Sequence, residues 1–104
     1  MTEAELQREV FRRLEARPDL TWHHCRDGRH CDGFRGMPDL LIFGRRGLIW
    51  RELKGEDTRH RAHQLDYADL LALAGQNIGT WRPADLVSGR IMRELDAIRS
   101  GQAS

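Results

Sequence analysis

Leu6, Val10 and Leu14 recur at every fourth residue with charge on the other faces, which predicts an amphipathic helix over residues 3–16. Thr2 suits its N-cap, and Glu3 and Glu5 suit the positive end of its dipole. Arg17 precedes Pro18, which closes the helix. Leu20 to Cys25 reads as a short strand, and residues 26–36, rich in glycine and charge, as an exposed loop. Leu40-Leu41-Ile42-Phe43 is a continuous apolar run, which predicts a strand buried on both faces. Gly44-Arg45-Arg46-Gly47 reads as a four-residue hairpin turn, and Leu48 to Lys54 as the returning strand. Thr58 is a candidate cap for a helix through Leu65, Tyr67, Leu70, Leu71 and Ala74 that stops at Gly75. Asn77 to Arg82 reads as a last strand. Pro83 then opens a short turn or helix. Residues 88–99 form an amphipathic helix with Ile91, Leu95 and Ile98 inward. The order is helix, three strands, helix, strand, helix, a mixed α/β domain with helices on the sheet.

Bulk composition narrows this picture only slightly. A chain of 104 residues suits one domain, residues 1–104, with one modest core. The net charge of +1 argues against a polybasic tail but leaves room for a local phosphate-binding patch. No apolar stretch nears the ~20 residues that span a bilayer, and the acidic start does not read as a secretory signal. Two cysteines are too few for a disulfide framework, so a reducing cytoplasm is the expected setting.

Candidate chemistry sits in the hairpin. Gly36-Met37-Pro38-Asp39-Leu40 opens one strand, and Arg51-Glu52-Leu53-Lys54 closes the next. Side chains alternate along a strand, so Glu52 and Lys54 share a face. Paired strands bring Asp39 close to Glu52. Two acids so placed repel, and a hard divalent cation with oxygen ligands resolves the repulsion, with Lys54 beside it to handle a proton or an anionic oxygen.

Three further features join these motifs: Gln64 on the following helix, Trp81-Arg82-Pro83 after the last strand, and the opening Thr2-Glu3-Ala4-Glu5-Leu6-Gln7. Together they resemble the PD-(D/E)xK nuclease superfamily and, within it, the small stand-alone VRR-NUC domain. The resemblance runs from about residue 2 to about residue 87. It implies a restriction-endonuclease-like core, a mixed central sheet flanked by helices in the order αβββαβ with a C-terminal helix added. It implies that Asp39, Glu52 and the Leu53 carbonyl bind Mg2+, with Mn2+ able to substitute. Lys54 would position or deprotonate the attacking water, and Gln64 would position the lysine, water or phosphate. A first-helix acid would extend the metal shell; Glu3 fits best, with Glu5 and Glu9 open. Between Cys25 and Gly36 no family pattern is found.

Phosphate contacts outside the site are expected from Arg26, Arg29 and Arg35 on the loop, Arg45 and Arg46 at the hairpin tip, and Arg59 and Arg61 before the long helix. No base-reading helix stands out, so selectivity for DNA shape is expected. The resemblance implies a structure-selective endonuclease acting on branched DNA, four-way junctions first, as a homodimer. A flap or single-strand nuclease of the same fold and a non-catalytic DNA-binding module are the alternatives. Neither a membrane nor a small-molecule cofactor is expected. Singly, each arginine is an ordinary solubilising residue, and Tyr67, Trp50 and Trp22 are ordinary packing. His23, His24, Cys25, His30 and Cys31 are zinc-type donors, but they lack paired C-x2-C spacing. The plainer expectation for them is a strand end followed by a basic loop that touches DNA.

Overall fold

The structure, a computed structural model, describes residues 1–25 and 33–99. Eight elements follow in chain order: α1 (Glu3–Glu15), β1 (Thr21–His24), β2 (Leu40–Gly44), β3 (Gly47–Leu53), α2 (Ala62–Leu73), β4 (Asn77–Trp81), α3 (Pro83–Val87) and α4 (Arg90–Ala97). The sheet runs β1-β2-β3-β4. Its first two pairings are antiparallel, and β3 pairs with β4 in parallel across the α2 connection. The domain is therefore α/β, a four-stranded mixed sheet flanked by helices. No helix among the described residues is long and apolar enough to cross a membrane.

α1 starts where its cap chemistry places it. The Glu5 N–H donates to the Thr2 hydroxyl at 3.1 Å, and the Thr2 N–H donates back to the Glu5 carboxylate at 2.7 Å. Its Leu6, Val10 and Leu14 then meet Leu40, Ile42, Ile49 and Leu53 of the sheet, with Trp81, Ile91, Leu95 and Ile98 completing the core. α1 and α4 thus cover one face. The other face carries Glu52, Ile78 and Thr80 and looks toward α2.

A buried ionic knot ties α4 to the sheet. Arg51, which is buried, donates to Glu94 at 3.0 Å and stacks on Trp81 with its guanidinium carbon 5.6 Å from the ring centroid. Glu94 also accepts from Trp81 Nε1 at 2.8 Å and from Arg90 Nε at 2.6 Å. Partial burial alone would push the Glu94 carboxyl up. The hydrogen bonds from Trp81 and Arg90 and the charge of Arg51 outweigh it and hold the group below its usual range.

Four expectations are corrected. β2 is buried on one face only: Leu40 and Ile42 are core, whereas Leu41 is half-buried and Phe43 exposed. An antiparallel three-strand run leaves that outer face partly open, which a short apolar run does not reveal. The hairpin turn is two residues, Arg45-Arg46, because Gly44 and Gly47 pair. A side chain on Gly44 would meet the Ile98 carbonyl, 2.3 Å from the added carbon, so the end of α4 crosses the hairpin there. α2 begins at Ala62 and not after Thr58. The Arg61 N–H donates to the Gln64 side chain at 2.9 Å, which closes the first turn, while Arg82 Nη1 holds the carbonyls of Gly55 at 2.6 Å and Thr58 at 2.8 Å in an irregular loop. Finally, Cys25 is disulfide-bonded. Counting two cysteines offers no sign of such a bond, because the spacing carries no framework.

Candidate active site

Register delivers the first two residues. Leu40 pairs with Arg51, so the next pair outward sets Asp39 beside Glu52 on the face away from the core. Lys54 lies two residues beyond on the same face. Glu52 and Lys54 are 5% and 7% exposed, so both are charged types held out of water. The Asp39 and Glu52 carboxyls are close enough to act on each other directly. Burial, then this direct interaction, then the Asp39 charge push the Glu52 carboxyl up to about 9, with Lys54 opposing. In the protein alone, Glu52 therefore retains its proton at neutral pH.

Pro38 shapes the same corner. The Lys54 N–H turns toward β4 and donates to the Trp81 carbonyl at 3.1 Å, so the Leu53 peptide groups face β2. The β2–β3 register, carried outward, sets Pro38 opposite Leu53. Proline has no N–H, so it cannot donate to the Leu53 carbonyl across the ladder. The Leu53 N–H donates to Asp39 Oδ2 at 2.7 Å instead. A carboxylate oxygen thus takes over where the strand pairing stops, and the Leu53 carbonyl lies on that edge.

Of the first-helix acids, Glu5 is engaged in the Thr2 cap and Glu9 pairs with Arg12 and Arg13 at 3.3 and 2.8 Å. Glu3 is the one within electrostatic reach of the pair. Loss of hydration and then the Asp39 charge push its carboxyl up, while Lys54 and Arg61 pull it down. Among the described residues, however, no three His, Cys, Asp or Glu side chains come together as a metal-holding group. Glu3 is near the pair without forming a three-acid set. A buried and a half-buried carboxyl beside a backbone carbonyl have the oxygen chemistry a hard divalent cation takes, and such a cation would displace the Glu52 proton.

Gln64 lines a cavity of about 220 Å3 together with Glu52, His60 and Thr80. Its carbonyl oxygen is committed to the α2 cap, which leaves its amide group for a ligand. Sequence reading missed His60. Its Nε2 lies 2.9 Å from the Thr80 hydroxyl, and loss of hydration followed by the charges of Lys54 and Arg82 pushes its ring below the usual value. Only the irregular path of residues 55–61 brings it here, and no periodicity signals that. Arg82, noted in sequence only as part of Trp81-Arg82-Pro83, is the residue that holds this path.

The arginines divide. Arg61 acts on Glu3 and so belongs to the site, and Arg35 and Arg59 are exposed on the loops that lead into it. Arg45 and Arg46 are at the far end of β2 and β3, about 20 Å from Glu52 by strand rise, and are not brought to the site. Arg26 and Arg29 lie outside the described residues. So do His30 and Cys31 of the zinc-type set, and the disulfide on Cys25 removes its thiolate from any such role. Comparison with family models, curated proteins and solved structures returned no match to this chain.

Proposed function

We propose that this chain is a divalent-metal-dependent DNA endonuclease with a restriction-endonuclease-like core of the VRR-NUC kind, selective for branched DNA. One observation carries the reading: the buried Glu52 carboxyl, held protonated beside the half-buried Asp39, with Lys54 on the same face. A structural role does not explain it, because burying the Glu52 carboxyl next to a second acid costs stability. Asp39, Glu52 and the Leu53 carbonyl are the groups that would hold Mg2+ or Mn2+. The bound ion would neutralise a phosphate oxygen and acidify a water. Lys54 orients that water and meets the charge on the scissile phosphate. The Gln64 amide donates to the same region, and Arg35, Arg59 and Arg61 contact neighbouring phosphates without reading sequence. One site per chain cuts one strand, so symmetric cutting of a four-way junction calls for a two-fold dimer.

A second reading, a DNA-binding module without catalysis, is favoured by the lack of a three-acid group among the described residues. Labelled single-stranded, duplex, flap and four-way DNA, incubated with Mg2+, Mn2+ or EDTA, separates the two. The nuclease reading expects metal-dependent cutting that is strongest on the four-way substrate. Binding without cutting in any metal supports the module. A strict monomer by gel filtration at cutting concentrations favours flap or single-strand nicking.

A further inference from the structure

We propose that the open pocket lined by Phe34, Tyr67, Leu70 and Leu71 holds one unpaired nucleobase of the substrate. This rests on the nuclease reading and names the substrate feature that the site recognises. The pocket encloses about 310 Å3, at the small end of ligand cavities, and its walls are aromatic and aliphatic. Phe34 is 66% exposed, so most of its apolar surface remains in water. Its ring is nevertheless placed: it meets Tyr67 edge-on, centroids 6.1 Å apart at 63°. An exposed aromatic held in a fixed attitude over an apolar floor suits a flat ring that stacks.

Position ties this pocket to the site. Gly36 has φ 98° and presses on the start of α2 so closely that an added Cβ would fall 2.0 Å from the His63 carbonyl oxygen. No other residue type fits there. The contact clamps the Phe34 loop to the helix that carries both Tyr67 and Gln64. Asp39 follows Phe34 by five residues, which caps their separation at about 17 Å. Charge agrees as well. Arg35 follows Phe34 in an exposed position, and Arg59 and Arg61 are exposed before α2, so phosphates on either side of a captured base meet cations. A second copy docked two-fold at this pocket would set Arg35 near its own equivalent. A base inside an intact duplex shows no free face, so the pocket selects nucleotides unpaired at a branch point, a flap or a single strand.

Photocrosslinking tests this. The full chain in EDTA is irradiated with four-way and flap DNA carrying 5-iodouracil at one unpaired position, and the adduct is mapped by mass spectrometry. The expected adduct is on Phe34 or Tyr67. In parallel, Phe34→Ala should weaken binding to these DNAs roughly tenfold, while Phe34→Trp restores it and duplex binding is unchanged. Adducts confined to other residues, or equal binding by Phe34→Ala, overturn the base pocket and leave the nuclease reading standing. A parent protein that binds no DNA overturns both. Conversion of a dimer to a monomer by Phe34→Ala, seen in light scattering, assigns the patch to a second copy and also overturns the base pocket.

Discussion

At the scale of single residues, the site turns on where two carboxyls and one amine end up. Asp39, Glu52 and Lys54 were legible because strand alternation and pairing are short-range rules that a hairpin obeys. His60 was not legible, since its place depends on Arg82 holding a loop from another element. Asp39→Asn keeps an acceptor for the Leu53 N–H but removes the charge, so it should abolish Mg2+-dependent cutting with the fold intact. Lys54→Ala should lower the cutting rate by roughly 10²- to 10⁴-fold. Rates on labelled four-way DNA check both, and parental activity in the two variants would remove the site assignment. Glu52 also makes a stability prediction. Its folded pKa, about 9, is above its unfolded value, so the folded protein binds the extra proton between the two. Without metal, stability is full below the unfolded pKa and is lost as pH rises through the folded one. Glu52→Gln should flatten that slope and stabilise the metal-free protein near neutral pH by on the order of 1–3 kcal/mol, measured by urea unfolding across pH.

At the scale of elements, sequence periodicity was reliable where a helix has one neighbour to face. α1 and α4 bury the residues their spacing implies, Leu6, Val10 and Leu14 in one and Ile91 and Leu95 in the other. α2 defeats the same rule. Its apolar residues include Leu65, Leu70, Leu71 and Leu73, yet none of its residues is buried, and Leu73 is 85% exposed. Apolar positions on every side set no preferred face, and the helix lies over the cavity that Glu52 and Gln64 line. The Arg51–Glu94 tie was invisible because its partners are 43 residues apart in the chain. It adds a polar tie between α4 and the sheet to the apolar packing of Ile91 and Leu95. Glu94→Ala would strand the Arg51 guanidinium out of water and remove the acceptor of the Trp81 indole. Stability should fall by about 3 kcal/mol, read by thermal or urea denaturation. A much smaller loss would mean that α4 is held by its apolar contacts alone. Replacing Glu94 by Gln, which keeps an acceptor, should recover part of the loss.

At the scale of the whole molecule, the two carboxyl systems pull stability in opposite directions with pH. Glu94 is held below its usual value, so its contribution is present above its unfolded pKa and fades as acid protonates it. Glu52 is held above, so its burden grows as the solution turns alkaline. The metal-free domain should therefore be most stable in mildly acidic solution, with a melting temperature that declines from about pH 6 to about pH 9. A divalent cation changes the alkaline side alone. Held by Asp39 and Glu52, it would displace the Glu52 proton, so its affinity would rise with pH wherever that proton is held. Binding to the folded state then raises stability by mass action. In EDTA the melting temperature should fall across this range. In millimolar Mn2+ it should hold level or rise, and the gap between the two curves should widen steadily with pH. Glu52→Gln should close the gap at every pH, because the variant has neither a proton to release nor a second carboxylate to offer. A gap that is constant with pH, or one that survives in Glu52→Gln, would place the cation elsewhere on the molecule and detach Asp39 and Glu52 from metal chemistry.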